Sequence, residues 1–359
     1  MTPSPAGFGR RTLLRGGLSA TAAGALGLTG GTAYAASPGA GARGAAAEPR
    51  VHTTAEWKAR PPSSDIVVED HKPAYIVVHH TVEPGNGEDY SLAHAKRIAR
   101  EIQDAHMARG WGDTGQQFTN SRGGHVLEGR HRSLEVVRGG RQHVKGANVS
   151  GHNSEVVGIE NEGLYSEVDV PRALWESLVG LVSWIAERYG TDTANIVGHR
   201  DFNSTECPGD VLYGRLRELR EAVAASLGRG PVPASASTWP LLRPGSSGPR
   251  VRAAQHLLRA TGFPSLRADG VFGGGTRRAV ARLASVHGVR PHRCSAMRQG
   301  ADETGYLGAD LWPLITPRVP EGDTAEVDSA VQALRRAGGT RTSAAGPLGQ
   351  ADWQRLLAV

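Results

Sequence analysis

Two short segments, more than a hundred residues apart, carry side chains suited to metal chemistry. IVVHHT, from Ile76 to Thr81, is an apolar run that ends in His79 and His80. GHRDFNSTECPGD, from Gly198 to Asp210, sets His199 and Cys207 eight residues apart. Two imidazoles and one thiolate can hold a zinc ion and leave one tetrahedral position open. An open position admits water, which makes such a site hydrolytic rather than purely structural. Each residue alone has a plainer reading. A histidine at a strand end is ordinarily packed or hydrogen-bonded, a lone cysteine is ordinarily a buried thiol, and neither spacing is that of a zinc finger.

The elements that must position these groups are legible from pattern. Strands are expected at 74–80, at 117–121 with 126–128 across the Arg122-Gly123-Gly124 turn, at 156–160 and at 195–198. Helices are expected from Ser91 to Met107, after Pro171 with Leu174, Leu178, Val182, Ile185 and Tyr189 on one stripe, and from Asp210 to Ala225. Strands and helices mixed on this scale indicate an α/β domain with a mixed sheet flanked by helices, spanning 51–227. Residues 228–240, GRGPVPASASTWP, read as a linker. Small helical units follow, over 241–318 and 319–359. Val251, Ala254 and Leu258 form one apolar stripe, Val280, Leu283 and His287 another, and Val327, Val331 and Leu334 a third. Gly305, Leu307, Gly308 and Trp312 recur as Gly346, Leu348, Gly349 and Trp353, each displaced by 41. That echo predicts two copies of one small module.

The chain has 359 residues, more than one domain at about 150 residues each. Residues 1–35 hold Arg10, Arg11 and Arg15, no acidic residue, an Ala/Gly/Leu stretch from Gly16 to Leu28, and Ala33-Tyr34-Ala35. This is the pattern of a twin-arginine export signal with a small-residue cleavage site. Residues 36–50 read as disordered. Cleavage after Ala35 lowers the formal charge of +6 by three, so the mature chain is only mildly basic. Such a balance does not argue for nucleic acid and suits an anionic wall surface. The expected location is secreted or wall-associated, with no membrane contact after cleavage and a monomeric state. Two cysteines, Cys207 and Cys294, do not make a disulfide framework. Cys294 is expected as a buried thiol of the helical part.

Five ordered motifs carry a resemblance. VVHHT, IQDAHMARGWGDTG, GHVLEGR, VVGIENEG and GHRDFNSTECPGD, with Trp57-Lys58-Ala59-Arg60-Pro61-Pro62 ahead of them, resemble the peptidoglycan recognition protein and type 2 N-acetylmuramoyl-L-alanine amidase family. The resemblance covers about 51–227. It implies zinc held by His79, His199 and Cys207, with His80 as a non-ligand. Strand alternation agrees, because adjacent side chains point to opposite faces. It implies hydrolysis of the amide between the lactyl group of N-acetylmuramic acid and L-alanine. Some relatives lack the cysteine and only recognise peptidoglycan, which leaves a non-catalytic binding protein as the alternative.

The sequence departs from the family where many relatives carry a tyrosine: Asp113-Thr114-Gly115 is followed by Gln116. An amide cannot exchange a proton near neutral pH, although it can donate a hydrogen bond. Glu160, in the GIE of VVGIENEG, is therefore the expected general base, Gln116 an orienting group, and Thr205 a candidate for oxyanion support. The resemblance places His143 in the substrate cleft, with His152 and Asn153 near it. Beyond the linker, Leu242, Gly248, Gln255, Asp269, Gly270, Phe272 and Thr276 resemble a three-helix peptidoglycan-binding domain. The aromatic-Gln pair usual after its second helix is replaced by Leu283-Ala284. Peptidoglycan is thus the expected partner of both parts.

Overall fold

The β-branched run at Tyr75 forms the centre of the sheet. In chain order the elements are β1 (Val51–His52), β2 (Val68–Glu69), β3 (Tyr75–His80), α1 (Leu92–Ala108), β4 (Phe118–Asn120), β5 (Val126–Glu128), α2 (Ser133–Gly139), β6 (His143–Val144) and β7 (Val156–Asn161). Then come α3 (Arg172–Tyr189), β8 (Ile196–Gly198), α4 (Asp210–Gly214) and α5 (Leu216–Ser226). The C-terminal part adds α6 (Pro249–Ala260), α7 (Gly274–Val286), α8 (Trp312–Ile315), α9 (Ala325–Arg336) and α10 (Gln350–Leu356). This computed structural model describes residues 46–359 except 231, 233–237, 293, 298–301, 319, 321–323 and 341–345. The expected export signal and most of 36–50 lie outside the described residues.

Six strands form one mixed sheet in the order β1-β5-β4-β7-β3-β8. β3 runs parallel to both β7 and β8, and β4 pairs antiparallel with β5. The fold is the expected mixed sheet flanked by helices. Alternation along β3 sends Ile76 and Val78 into the core with α3, while Val77 packs in a separate cluster with Val149 and Val156. α3 buries Leu174, Leu178, Val182 and Ile185 completely against the first face. Each contributes about 1.5–3 kcal/mol. The helix expected from Asp210 is interrupted at Arg215 and continues as α5.

The C-terminal helices share a single apolar cluster, which includes Val251, Val280, Trp312, Val331 and Trp353. His287, expected on an apolar stripe, instead caps α7 at the exposed surface. Both repeat tryptophans are fully buried. Each indole N–H finds a proline carbonyl, Pro240 O at 2.6 Å for Trp312 and Pro317 O at 3.0 Å for Trp353.

Candidate metal centre and cleft

Three parallel strands deliver the site at their carboxyl ends, the usual location for ligands in open α/β sheets. His79 is the penultimate residue of β3, Glu160 lies opposite it on β7, and His199 follows β8. Cys207 comes from the loop after His199. That loop is pinned by Arg200 N–H to Cys207 O at 3.0 Å and by Asp201, whose carboxylate accepts from Gly198 N at 2.8 Å and Tyr213 Oη at 2.6 Å. Gly209 closes it with φ 91°, where an added Cβ would stand 2.4 Å from the Tyr165 carbonyl, so a side chain does not fit.

One ligand atom each from His79, His199 and Cys207 falls within 4.8 Å of the others. The two rings lie 4.6 Å apart, and His79 Nδ1 is 3.5 Å from Cys207 Sγ. Burial lowers the His79 pKa to about 3, and burial with the neighbouring His79 lowers His199 well below its usual value. Both imidazoles are therefore neutral at pH 7, the form that ligates. Burial also raises the Cys207 thiol, a penalty that a bound cation reverses. His79 Nε2 is buried with no hydrogen-bond partner among the described residues. The donor set and this orphaned nitrogen fit zinc. His80 faces the other way: its Nδ1 accepts from Tyr165 N at 3.3 Å, and its own N–H donates to Cys207 Sγ at 3.4 Å.

Glu160 and Thr119 are strand partners, so His79, Glu160 and Thr119 form one row across β3, β7 and β4. Burial pushes the Glu160 carboxyl up to about 8, while Arg109 pulls it back. Its Oε2 has no partner among the described residues. Gln116 is fully buried and donates Nε2 to Thr119 Oγ1 at 2.9 Å. Its loop is fixed by α1, where His106 Nδ1 accepts from Gly115 N at 2.9 Å and Gln103 donates to Asp113 at 2.8 Å.

A cleft of about 650 Å³ opens beside the cluster, lined by Arg109, Trp111, Ala147–Ser150, Asn153, His199, Thr205, Arg290–His292 and Cys294. This falls in the range of small-molecule sites. Asn153 lines this cleft, and its Oδ1 accepts from Asn148 N at 2.7 Å and Val149 N at 3.0 Å, shaping the rim. His143 differs from expectation. It is fully buried on β6 with Nε2 3.1 Å from Asn153 O, one layer behind the lining. The pairing of β6 with β2 turns it inward. His152 lies outside this cleft as well, against the Phe202 ring at 4.7 Å in a neighbouring depression.

The sequence reading missed what covers the cleft. The C-terminal part docks on four consecutive residues between His199 and Cys207. Asp310 accepts from Asn203 Nδ2 at 3.4 Å and from Ser204 Oγ; Gly308 N donates to Ser204 Oγ at 2.8 Å. Glu303 accepts from Thr205 Oγ1 at 3.1 Å and Glu206 N at 2.7 Å, and Tyr306 Oη donates to Glu206 at 3.1 Å. The Thr205 hydroxyl is thus held by Glu303. Cys294 is not in the helical core as expected; it lines the cleft beside Cys207. Its separation from Cys207 along the chain left no local pattern to reveal this.

A family model described as "N-acetylmuramoyl-L-alanine amidase" matches residues 69–210, and one described as "Putative peptidoglycan binding domain" matches residues 247–291. The chain is 32% identical over 166 residues to peptidoglycan-recognition protein SC2 of Drosophila melanogaster, covering 45% of this chain and 82% of that protein. It is 30% identical over 175 residues to human N-acetylmuramoyl-L-alanine amidase, covering 47% of this chain and 28% of that one. To the amidase CwlL of Bacillus licheniformis it is 27% identical over 234 residues, covering 60% and 61%. The chain therefore spans less than two thirds of the human and Bacillus proteins' own lengths. On these matches, together with its sheet and its motifs, the chain belongs to the family of peptidoglycan recognition proteins and N-acetylmuramoyl-L-alanine amidases.

Proposed function

We propose that the chain is a zinc-dependent N-acetylmuramoyl-L-alanine amidase, secreted by the twin-arginine route, that hydrolyses the amide between the lactyl group of N-acetylmuramic acid and L-alanine. The observation that carries the reading is the row on one sheet face, in which Glu160 stands beside His79 while His199 and Cys207 converge on the same point. Zinc, when bound, polarises the scissile carbonyl and lowers the pKa of water. His79, His199 and Cys207 would hold it. Glu160 takes the proton of the attacking water and returns it to the leaving amine, a task suited to a carboxyl poised near neutral pH. Gln116 braces Thr119 beside Glu160 rather than facing substrate with its bonded amide. Thr205 supports the oxyanion once its hydroxyl leaves Glu303. Asn153 lines the substrate path; His143 supports it from behind. Among the described residues no helix is long and apolar enough to cross a membrane.

Glu160→Gln should lower turnover by about 10²–10⁴-fold while zinc stays bound; retention of most activity sinks the assignment. A second reading, a recognition protein that binds peptidoglycan without cutting it, is favoured by the engagement of Thr205 with Glu303 and by Gln116 in place of tyrosine. Digesting purified wall with and without chelator separates the two. An amidase releases L-alanine amino termini without new reducing ends and stops when zinc is removed. A pure binder releases nothing.

A further inference from the structure

The two parts of the chain carry opposite charge. Residues 51–227 hold 19 lysines and arginines against 25 acidic residues, a net of −6. Residues 241–359 hold 16 arginines, no lysine and 9 acidic residues, a net of +7. The mild charge of the whole is a cancellation, and the helical part by itself is strongly basic. Arginine's planar fork binds phosphate oxygens in pairs, which a lysine ammonium does not.

Part of that charge gathers in one groove. It has a volume of about 690 Å³ and runs between the first turns of α6 and the last turns of α9. Arg252 and His256 line one wall, Ser329, Gln332 and Arg336 the other, with glycine, alanine and proline between them. No carboxylate lines it among the described residues. The acidic residues on α9 and beside Ala268 are already engaged. Glu326 is held by His256 at 2.6 Å and Arg259 at 2.9 Å, Asp328 accepts from Gln332 at 2.6 Å, and Asp269 accepts from Val271 N at 2.9 Å and Gln255 at 3.0 Å. Arg252 and Arg336 are exposed and donate to neutral oxygens, the Asp269 carbonyl at 3.2 Å and the Gln332 amide at 3.1 Å.

The helix termini act in the same direction. α6 opens into the groove at Gly248 and Pro249 with no side-chain cap and no acidic residue in its first turn, so the positive end of its dipole is uncompensated. At the other wall, the Leu334 and Arg335 carbonyls that end α9 are covered by the N–H groups of Ala337, Gly338 and Gly339.

We propose that this groove binds a phosphodiester-linked polyanion of the wall, a linear polymer of polyol phosphates. Guanidiniums on two helices suit a ligand whose charge repeats along a chain, and each phosphate neutralised releases bound counterions. A nucleic acid shares the phosphodiester but calls for aromatic side chains on which its bases stack. Apart from His256, whose ring is bonded to Glu326, none lines the groove among the described residues. A plain polyol backbone needs none. The inference is independent of the zinc reading: it concerns what the helical part holds, not what the sheet domain cuts.

Titration of the full chain with fluorescent poly(glycerol phosphate) at several salt concentrations provides the test. We expect binding whose log K falls linearly with log salt. Arg252→Ala and Arg336→Ala should each weaken it about three- to tenfold at low salt and lower the slope by about 0.7. Ala333→Glu, which puts a carboxylate into the groove, should weaken it by about tenfold or more. Arg282→Ala removes an exposed arginine of α7 outside the groove and should cost less than about twofold. An Arg282→Ala loss equal to that of Arg252→Ala assigns the binding to diffuse charge and overturns the groove. Equal or tighter binding of poly-glutamate overturns the preference for phosphate, and tighter binding of single-stranded DNA overturns the wall polymer as its source. No binding at about 50 mM salt overturns the proposal outright. The wild-type titrations decide the matter even if a variant folds poorly.

Discussion

The two copies of the C-terminal repeat are built alike and used differently. In both, a glycine in the left-handed region precedes a buried leucine and a buried tryptophan whose indole bonds a proline carbonyl. They part at the second glycine. Gly308 donates its N–H across to Ser204 of the sheet domain, whereas Gly349 donates to its own Asp352 at 3.0 Å and caps α10. The side chains that grip the sheet domain, Glu303, Tyr306 and Asp310, correspond at the 41-residue spacing to Ala344, Pro347 and Ala351. A repeat unit has thus kept its core and exchanged its surface, so that one copy docks on the sheet domain while the other completes a fold.

The shared part of the comparison carries the largest effect. Trp312→Ala and Trp353→Ala should each cost about 3–5 kcal/mol in denaturant unfolding of the full chain, since both leave an indole-sized hole in one common core. A large inequality between them would argue that the copies differ in their cores as well. The unshared part is sharpened next. An added Cβ at Gly308 would stand 2.7 Å from Ser204 Cα, whereas at Gly349 it would meet only Asp352 Oδ2 at 3.7 Å. Gly308→Ala should weaken docking by about 1–3 kcal/mol, read as faster alkylation of Cys294, and Gly349→Ala should leave that rate unchanged. Asp310→Ala removes the acceptor shared by Asn203, Ser204 and His292 and should loosen docking by about 1–3 kcal/mol, whereas Ala351→Asp should change nothing at the cleft.

The smallest effect is a pH dependence. Burial raises Glu303 to about 7, with the nearby Glu206 carboxylate raising it further and the Glu206 N–H, the Thr205 hydroxyl and His292 opposing. A carboxyl raised in the docked state favours docking while it is protonated. That contribution is full below its usual value of 4.5 and is lost as pH rises through about 7. Cys294 should become more reactive across that window beyond the ordinary ionisation of a thiol, and Glu303→Gln should remove the excess. An unchanged excess in Glu303→Gln would assign the effect to another group.

The sheet and the convergence of His79, His199 and Cys207 are legible because their signals are local. A β-branched run ending in two histidines declares a strand, and alternation along it separates His79 from His80. The loop from His199 to Cys207 declares itself by its own residues. His143 was misjudged because its role depends on β6 pairing with β2, a contact with no short-range signature. The contacts of Cys294, Glu303 and Asp310 with the sheet domain have no local signal for the same reason: each meets a partner about 90 to 110 positions away. The echo at 41 residues was visible, and so was the exchange of acids for alanines within it. Read as a difference rather than as decay, that exchange was the available clue.

Asn203–Glu206, the segment the C-terminal part grips, is also the stretch of chain that joins His199 to Cys207. Load and chemistry therefore run through the same few bonds. A pull on the helical part would reach this loop together with the contacts of Ala296 with Thr81 and of Ser295 with Arg109. Were the helical part held by a wall, strain on it would bear on the loop that carries two of the proposed zinc ligands.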